Sequence, residues 1–228
     1  MAKCMLTLLS KKGTIIIEVQ YLLNTLKDLT FDNIYHEHYN YWSLTSLVKF
    51  FEQFKGRIIK AEKIDTHGGS IRIYIKKDKT KVDKSVKLIL NEEEDFGIKK
   101  FETYKNFGKK VYEIRKNIRT NIKNLKKKYK TIIGYGAPAK ATTALNFFGI
   151  NKEIDFIVED NKMKHNKYIP GVNIIIKDKS FVKDKDNTII VMAWNFFDEI
   201  QKQNKSLSNL FVNIKNLEIK DYSKLENN

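Results

Sequence analysis

The spacing of apolar positions changes several times along the chain, and each change marks an element. Thr14-Ile15-Ile16-Ile17-Glu18-Val19 is a β-branched run of buried-strand type, reached after a short helical stub and Gly13. From Ser43 the period lengthens: Leu44, Leu47, Val48, Phe51 and Phe54 share one face of a helix that Ser43 caps and Gly56 closes. Arg57 to Ile64 reads as a strand. Beyond the turn Asp65-Thr66-His67-Gly68-Gly69, the segment Ser70-Ile71-Arg72-Ile73-Tyr74-Ile75 alternates as a strand with one apolar face. Between Lys99 and Lys128, Phe101, Tyr104, Phe107, Val111, Ile114, Ile118, Ile122 and Leu125 recur every three or four positions, which predicts a long connecting helix. Thr131-Ile132-Ile133 then enters Gly134-Tyr135-Gly136-Ala137-Pro138-Ala139-Lys140, with a helix from Ala141 to Phe148. That is the strand, glycine turn and helix order of a mononucleotide-binding unit. Strands follow at Ile154 to Val158, Thr188 to Ala193 and Leu210 to Ile214, and Lys220 to Asn228 is a polar tail.

Composition narrows the function classes. The 228 residues are 42% hydrophobic, enough for one large or two ordinary domains. A net charge of +16 invites nucleic acid or an anionic membrane. Against this, only Arg57, Arg72, Arg115 and Arg119 among the 43 basic residues are arginines, and the lysines are scattered. Base and phosphate readers favour the bidentate guanidinium, so neither nucleic acid nor membrane is expected as a partner. Cys4, the single cysteine, forms no intrachain disulfide, no apolar run is long enough to span a bilayer, and a cytoplasmic protein is expected.

The candidate chemistry lies in Tyr35-His36-Glu37-His38, between the first strand and the Ser43 helix. A tyrosine, a base that titrates near neutrality and a carboxylate to orient it form an acid-base set. Histidines that only satisfy loop hydrogen bonds are the competing reading. In the glycine turn, Gly134 permits tightness, Gly136 lets a phosphate approach the backbone, Ala139 allows close packing and Lys140 adds a charge. The helix start favours an anion. Glu159-Asp160, at the end of the next strand, stand where such folds place a ribose-binding carboxylate. His67 is a turn histidine of positional interest, and no fixed ligand spacing points to a metal.

Several motifs occur together and in order: Phe31-Asp32-Asn33-Ile34-Tyr35-His36-Glu37-His38, Tyr41-Trp42-Ser43-Leu44, His67-Gly68-Gly69-Ser70-Ile71-Arg72, the Gly134 to Lys140 turn, Tyr168-Ile169-Pro170-Gly171 and Ala193-Trp194-Asn195. In this the chain resembles the S-adenosylmethionine-dependent C-methyltransferases of nucleotide-linked 4-keto deoxysugars, over nearly its whole length. The resemblance implies an α/β chain in four segments. Residues 1–90 would be the C-terminal part of a Rossmann-like methyltransferase domain, and 91–130 a connecting helical segment. Residues 131–220 would form a Rossmann-like, doubly wound nucleotide-sugar-binding domain, and 221–228 a tail. It implies His38 as base, with Tyr35 and Glu37 as its partners, and His67, Gly134, Gly136, Ala137 and Lys140 as substrate contacts. The first strand should correspond to the fifth of seven, so the donor's glycine loop, the family's zinc domain and the first four strands are expected to be missing. Ala141-Thr142 departs from the Gly-Asn that the family more usually has. That strand should then present an unpaired apolar edge, seeking a second chain with the donor half or making the chain poorly soluble. A catalytically silent nucleotide-sugar-binding remnant, a split-enzyme subunit and a nicotinamide oxidoreductase module are the alternatives.

Overall fold

The computed structural model describes residues 1–66, 68–183, 185–208 and 210–215. The polar tail expected beyond Lys220 lies outside these, as does His67. The chain forms two compact units, residues 1–31 with 37–109 and residues 32–36 with 110–228.

The first unit runs α1 (Ala2–Leu8), β1 (Ile15–Gln20), α2 (Leu22–Lys27), α3 (Leu44–Glu52), β2 (Arg57–Ile64), β3 (Ser70–Lys76), α4 (Lys84–Phe96) and the start of α5 (Phe101–Lys128). Its sheet has the order β1-β3-β2 and is antiparallel throughout. The alternation in β3 works as the sequence predicts. Ile71, Ile73 and Ile75 are fully buried in the core that also holds Leu44, Leu47 and Phe51 of α3, each worth roughly 1.5–3 kcal/mol of burial. On the opposite face Arg72 lies across from Glu18 and donates to its carboxylate at 2.8 Å. Ser43 and Ser46 close a capping box at the start of α3. Among the described residues β1 pairs with β3 alone, and Ile16 is 58% exposed. The edge strand expected from the sequence is present.

Sequence periodicity does not single out α4, because its C-terminal half reads as an acidic run, Glu92-Glu93-Glu94-Asp95. Its signals are local. Asp83 caps it by accepting from the Ser85 amide at 2.8 Å, Gly97 ends it in the left-handed region, and Val86, Ile89 and Glu93 form its buried stripe.

The second unit continues α5 and adds β4 (Thr131–Tyr135), α6 (Ala139–Phe148), β5 (Phe156–Val158), β6 (Ile176–Lys177), β7 (Asn187–Val191), α7 (Phe197–Gln203) and β8 (Leu210–Asn213). Its five strands are all parallel, in the order β6-β5-β4-β7-β8. Every residue of β7 is buried, as an apolar run inside a parallel sheet requires. The chain winds outward from β4 through β5 to β6, then returns to the other side of β4 for β7 and β8. The order therefore reverses between β4 and β7. In open α/β sheets the crevice beyond the strand ends at such a reversal is where ligands bind.

Candidate functional site

At that reversal two segments meet beyond the strand ends, the glycine turn after β4 and Ala193-Trp194 after β7. The Met192 amide donates to the Tyr135 carbonyl at 2.9 Å, and a Cβ on Gly136 would come within 3.3 Å of the Ala193 Cβ. Gly136 has φ +88°, so its place is set by backbone conformation as well as by closeness. Gly134 has a different reason from the one expected. It lies inside β4, where a Cβ would meet Ile157 of β5 at 2.7 Å, so it serves strand packing and makes no turn.

A third segment reaches the same place from far back in the chain. Asp32, buried in a 3₁₀ turn, accepts a hydrogen bond from the Trp194 indole Nε1 at 2.8 Å. The Lys140 ammonium lies 5.2 Å from the Trp194 ring centre, and that of Lys215 lies 3.6 Å from it. Burial lowers the Lys140 pKa, opposed by the negative charge of Asp32. Neither Asp32 nor Trp194 carries a role in the sequence reading, although both belong to the motifs that carry the resemblance. Only tertiary contact shows what they do.

The turn itself holds a carboxylate. Glu159, at the end of β5, accepts from the Ala137 amide at 2.9 Å and the Asn161 amide at 3.0 Å, and Lys164 bonds the Ala137 carbonyl at 3.0 Å. Burial pushes the Glu159 pKa up, but these amides and Lys164 outweigh it and hold the carboxyl below its ordinary value. Asp160 accepts from the Tyr135 hydroxyl at 2.9 Å and pairs with Lys179 at 2.5 Å. The two acidic residues that the fold places at a ribose position are thus engaged internally, and an anion entering the turn meets Glu159. The start of α6 has no side-chain cap, its N-cap being Pro138.

The division between the units falls inside the acid-base motif. Tyr35 and His36 group with the second unit, Glu37 and His38 with the first. Tyr35 is half-buried three positions after Asp32, its amide bonds the Asn33 carbonyl at 3.1 Å, and its ring meets that of His36 edge-on at 6.1 Å. Glu37 is exposed, and His38 is half-buried with its ring 6.3 Å from that of Tyr41. Trp42, next in the chain, forms an isolated bridge with Tyr21, and its carbonyl accepts from the Leu22 amide at 2.8 Å.

Below that bridge lies a buried carboxylate that the sequence reading passes over. Glu93 of α4 is fully buried, and its two oxygens accept from the Tyr21 hydroxyl (2.8 Å), the Leu44 amide (2.6 Å), the Thr45 amide (2.8 Å) and the Thr45 hydroxyl (2.6 Å). Two of these donors are first-turn amides of α3, where a negative charge is favoured. Burial, then the charge of Glu93, drives the Tyr21 pKa far up, so this phenol stays protonated. His67 falls outside the described residues. Gly69 after it has φ +106°, and a Cβ there would strike Asn24 at 2.6 Å, so this glycine serves the hairpin and its packing. Among the described residues no group of histidine, cysteine or acidic side chains is arranged to hold a metal ion, and no helix is long and apolar enough to cross a membrane.

A parallel five-stranded sheet with a glycine turn at its switch point defines a Rossmann-like α/β unit. Residues 65–212 match the family described as the C-methyltransferase C-terminal domain. The chain is also 33% identical over 197 residues to the C-methyltransferase NovU of Streptomyces niveus, an alignment covering 85% of this chain and 47% of NovU. The chain belongs to the C-methyltransferase family and represents its C-terminal portion. It spans about half the length of the curated relative it matches.

Proposed function

We propose that this chain is the acceptor-activating portion of an S-adenosylmethionine-dependent C-methyltransferase whose substrate is a nucleotide-linked 4-keto deoxysugar in the cytoplasm. The observation that carries this reading is the Asp32–Trp194 hydrogen bond. Within the second unit it fastens Asp32, three positions before Tyr35, to Trp194 beside the switch-point crevice.

A sugar carbon becomes a nucleophile only after the proton beside the ketone leaves. His38 takes that proton, the C–H electron pair moves into the carbonyl to give an enolate, and Tyr35 and Glu37 position the imidazole and stabilise the developing charges. Gly136, Ala137 and Lys140 address the nucleotide end, with Gly134 supporting them from β4, and His67 belongs to the sugar pocket by family pattern. The electrophilic methyl comes from the sulfonium donor. The described residues of the first unit do not fit that donor: its strands are antiparallel, and none opens through a glycine-rich turn into a helix. The step assigned to this chain therefore ends at the enolate. The open edge of β1 is where a donor-binding half, in the same polypeptide or in a second one, would add its strands.

Enolate formation is observable without a methyl donor. In deuterium oxide, the full chain should exchange the proton on the carbon next to the ketone of a nucleotide-linked 4-keto deoxysugar, followed by proton NMR. His38→Asn should slow this exchange by about 10²-fold or more. Equal exchange in the variant removes His38 from the base role. Binding of the sugar nucleotide with no exchange in the unaltered chain would mark it as a binding remnant.

A further inference from the structure

Away from the switch point, the exposed face of α5 in the second unit carries a groove of about 350 Å³ lined by Tyr112, Arg115, Lys116, Arg119, Thr120 and Lys123. It contains two of the chain's four arginines, and no carboxylate lines it. In a protein whose positive charge is otherwise almost all dispersed lysine, two guanidinium groups one helical turn apart set this face apart. The positions follow helical spacing, so the cations from Arg115 to Lys123 run along roughly 12 Å of one side.

Arg115 is held in place by aromatic rings and not by an acid. Its guanidinium lies 5.4 Å from the Phe147 ring centre, and Phe147 also meets Tyr112 edge-on at 5.7 Å. The Arg115 Nε is buried without a hydrogen-bond partner among the described residues. A buried, unpaired guanidinium N–H is costly and is satisfied most strongly by an anionic oxygen. The next lysine along, Lys126, is paired with Asp155 at 2.7 Å and does not line the groove.

We propose that this groove is a binding site for a phosphate-bearing ligand of the nucleoside diphosphate class, separate from the glycine turn. The phosphates sit between Arg115 and Arg119, with Lys116 and Lys123 flanking them, and the largely exposed Tyr112 ring at the head of the groove offers a face on which the base stacks. A nucleic-acid strand would need several such rings along its track, whereas Tyr112 is the aromatic side chain that lines this groove. The assignment does not depend on the methyltransferase reading.

Calorimetric titration of the full chain with uridine 5′-diphosphate tests it, with pyrophosphate and a single-stranded oligonucleotide as comparisons. The double variant Arg115→Gln/Arg119→Gln should weaken diphosphate binding about tenfold or more, the scale of one lost charge-assisted hydrogen bond. Its circular dichroism should be unchanged, because the buried stripe that anchors α5 is Val111, Ile114, Ile118, Ile122 and Leu125 and includes neither arginine. Tyr112→Ala should weaken uridine diphosphate but not pyrophosphate. Absence of binding to the unaltered chain, or equal binding by the double variant, would overturn the proposal. So would loss of binding in Lys140→Gln alone, which would place the nucleotide at the glycine turn and leave the functional reading intact. Tight oligonucleotide binding in place of diphosphate binding would overturn it in favour of nucleic acid.

Discussion

Asp32 and Trp194 are 162 positions apart in the chain, yet the indole Nε1–H donates to the Asp32 carboxylate at 2.8 Å. Within the second unit the bond joins the 3₁₀ turn that holds Asp32 to the segment beyond β7. It also sets the plane of the indole ring over which Lys140 and Lys215 lie. Trp194→Phe keeps an aromatic face for the lysines and removes only the donor, leaving a buried carboxylate short of one partner. Urea unfolding should show a loss of about 1.5–3 kcal/mol, the range for a hydrogen bond to a charged group. Asp32→Asn, which retains an acceptor, should lose less.

Glu93 satisfies four donors from three residues at once, so its removal orphans all of them. Glu93→Ala should cost about 3 kcal/mol or more, because each buried donor left unpaired costs about 1–3 kcal/mol. Glu93→Gln should be milder while still placing an amide N–H against one of those donors. Chemical denaturation of the two variants gives the ranking, and equal stability of all three proteins would show that water replaces the carboxylate.

The depressed pKa of Glu159 has a definite consequence for acid stability. A carboxyl that is more acidic folded than unfolded stabilises the fold fully above its unfolded value, near 4.5. That contribution disappears as pH falls through the lower folded value. Glu159→Gln should therefore be less stable than the unaltered chain at pH 7, and the gap between their melting temperatures should narrow on acidification below about pH 4.5. A gap that stays constant down to pH 3 would mean that the Ala137 and Asn161 contacts do not depend on the charge.

Two glycines in neighbouring elements should respond differently to alanine. Gly134→Ala forces a methyl to within 2.7 Å of Ile157 in the middle of the parallel sheet, an overpacking of about 1–3 kcal/mol. Gly149, at the end of α6, has open space around it and φ +65°, so Gly149→Ala should cost only the left-handed backbone penalty, about 1–2 kcal/mol. Thermal unfolding should also separate them by heterogeneity, with broadened second-unit NMR signals for Gly134→Ala alone.

The open side of β1 should drive association of the isolated chain, because an apolar edge with Ile16 exposed is a template for another strand. Ile16→Lys places a charge beside that edge at an exposed position and should cost under about 0.5 kcal/mol of fold stability. Sedimentation velocity should show the unaltered chain self-associating with concentration and the variant remaining monomeric. A monomeric unaltered chain across the same range would show that the edge is already protected.

Much of the architecture is legible in the sequence because it rests on local periodicity. The three-to-four spacing of Val111, Ile114, Ile118, Ile122 and Leu125 marks α5, alternation in Ile71, Ile73 and Ile75 marks β3, and the glycine turn marks the entry to α6. The residues Tyr35, Glu37 and His38 stand out through chemistry carried by side-chain type alone, and the family motifs are contiguous strings. What distance in the chain conceals only the tertiary structure decides. Glu93 reads as one more solvated acid in an acidic run until α4 turns it under α3, and Glu159 reads as a ribose ligand until the turn folds back to give it the Ala137 amide. Asp32 and Trp194 have no visible relation along the sequence. Their hydrogen bond brings a turn from early in the chain to the Ala193-Trp194 segment beyond β7, at the reversal between β4 and β7 that no periodicity encodes.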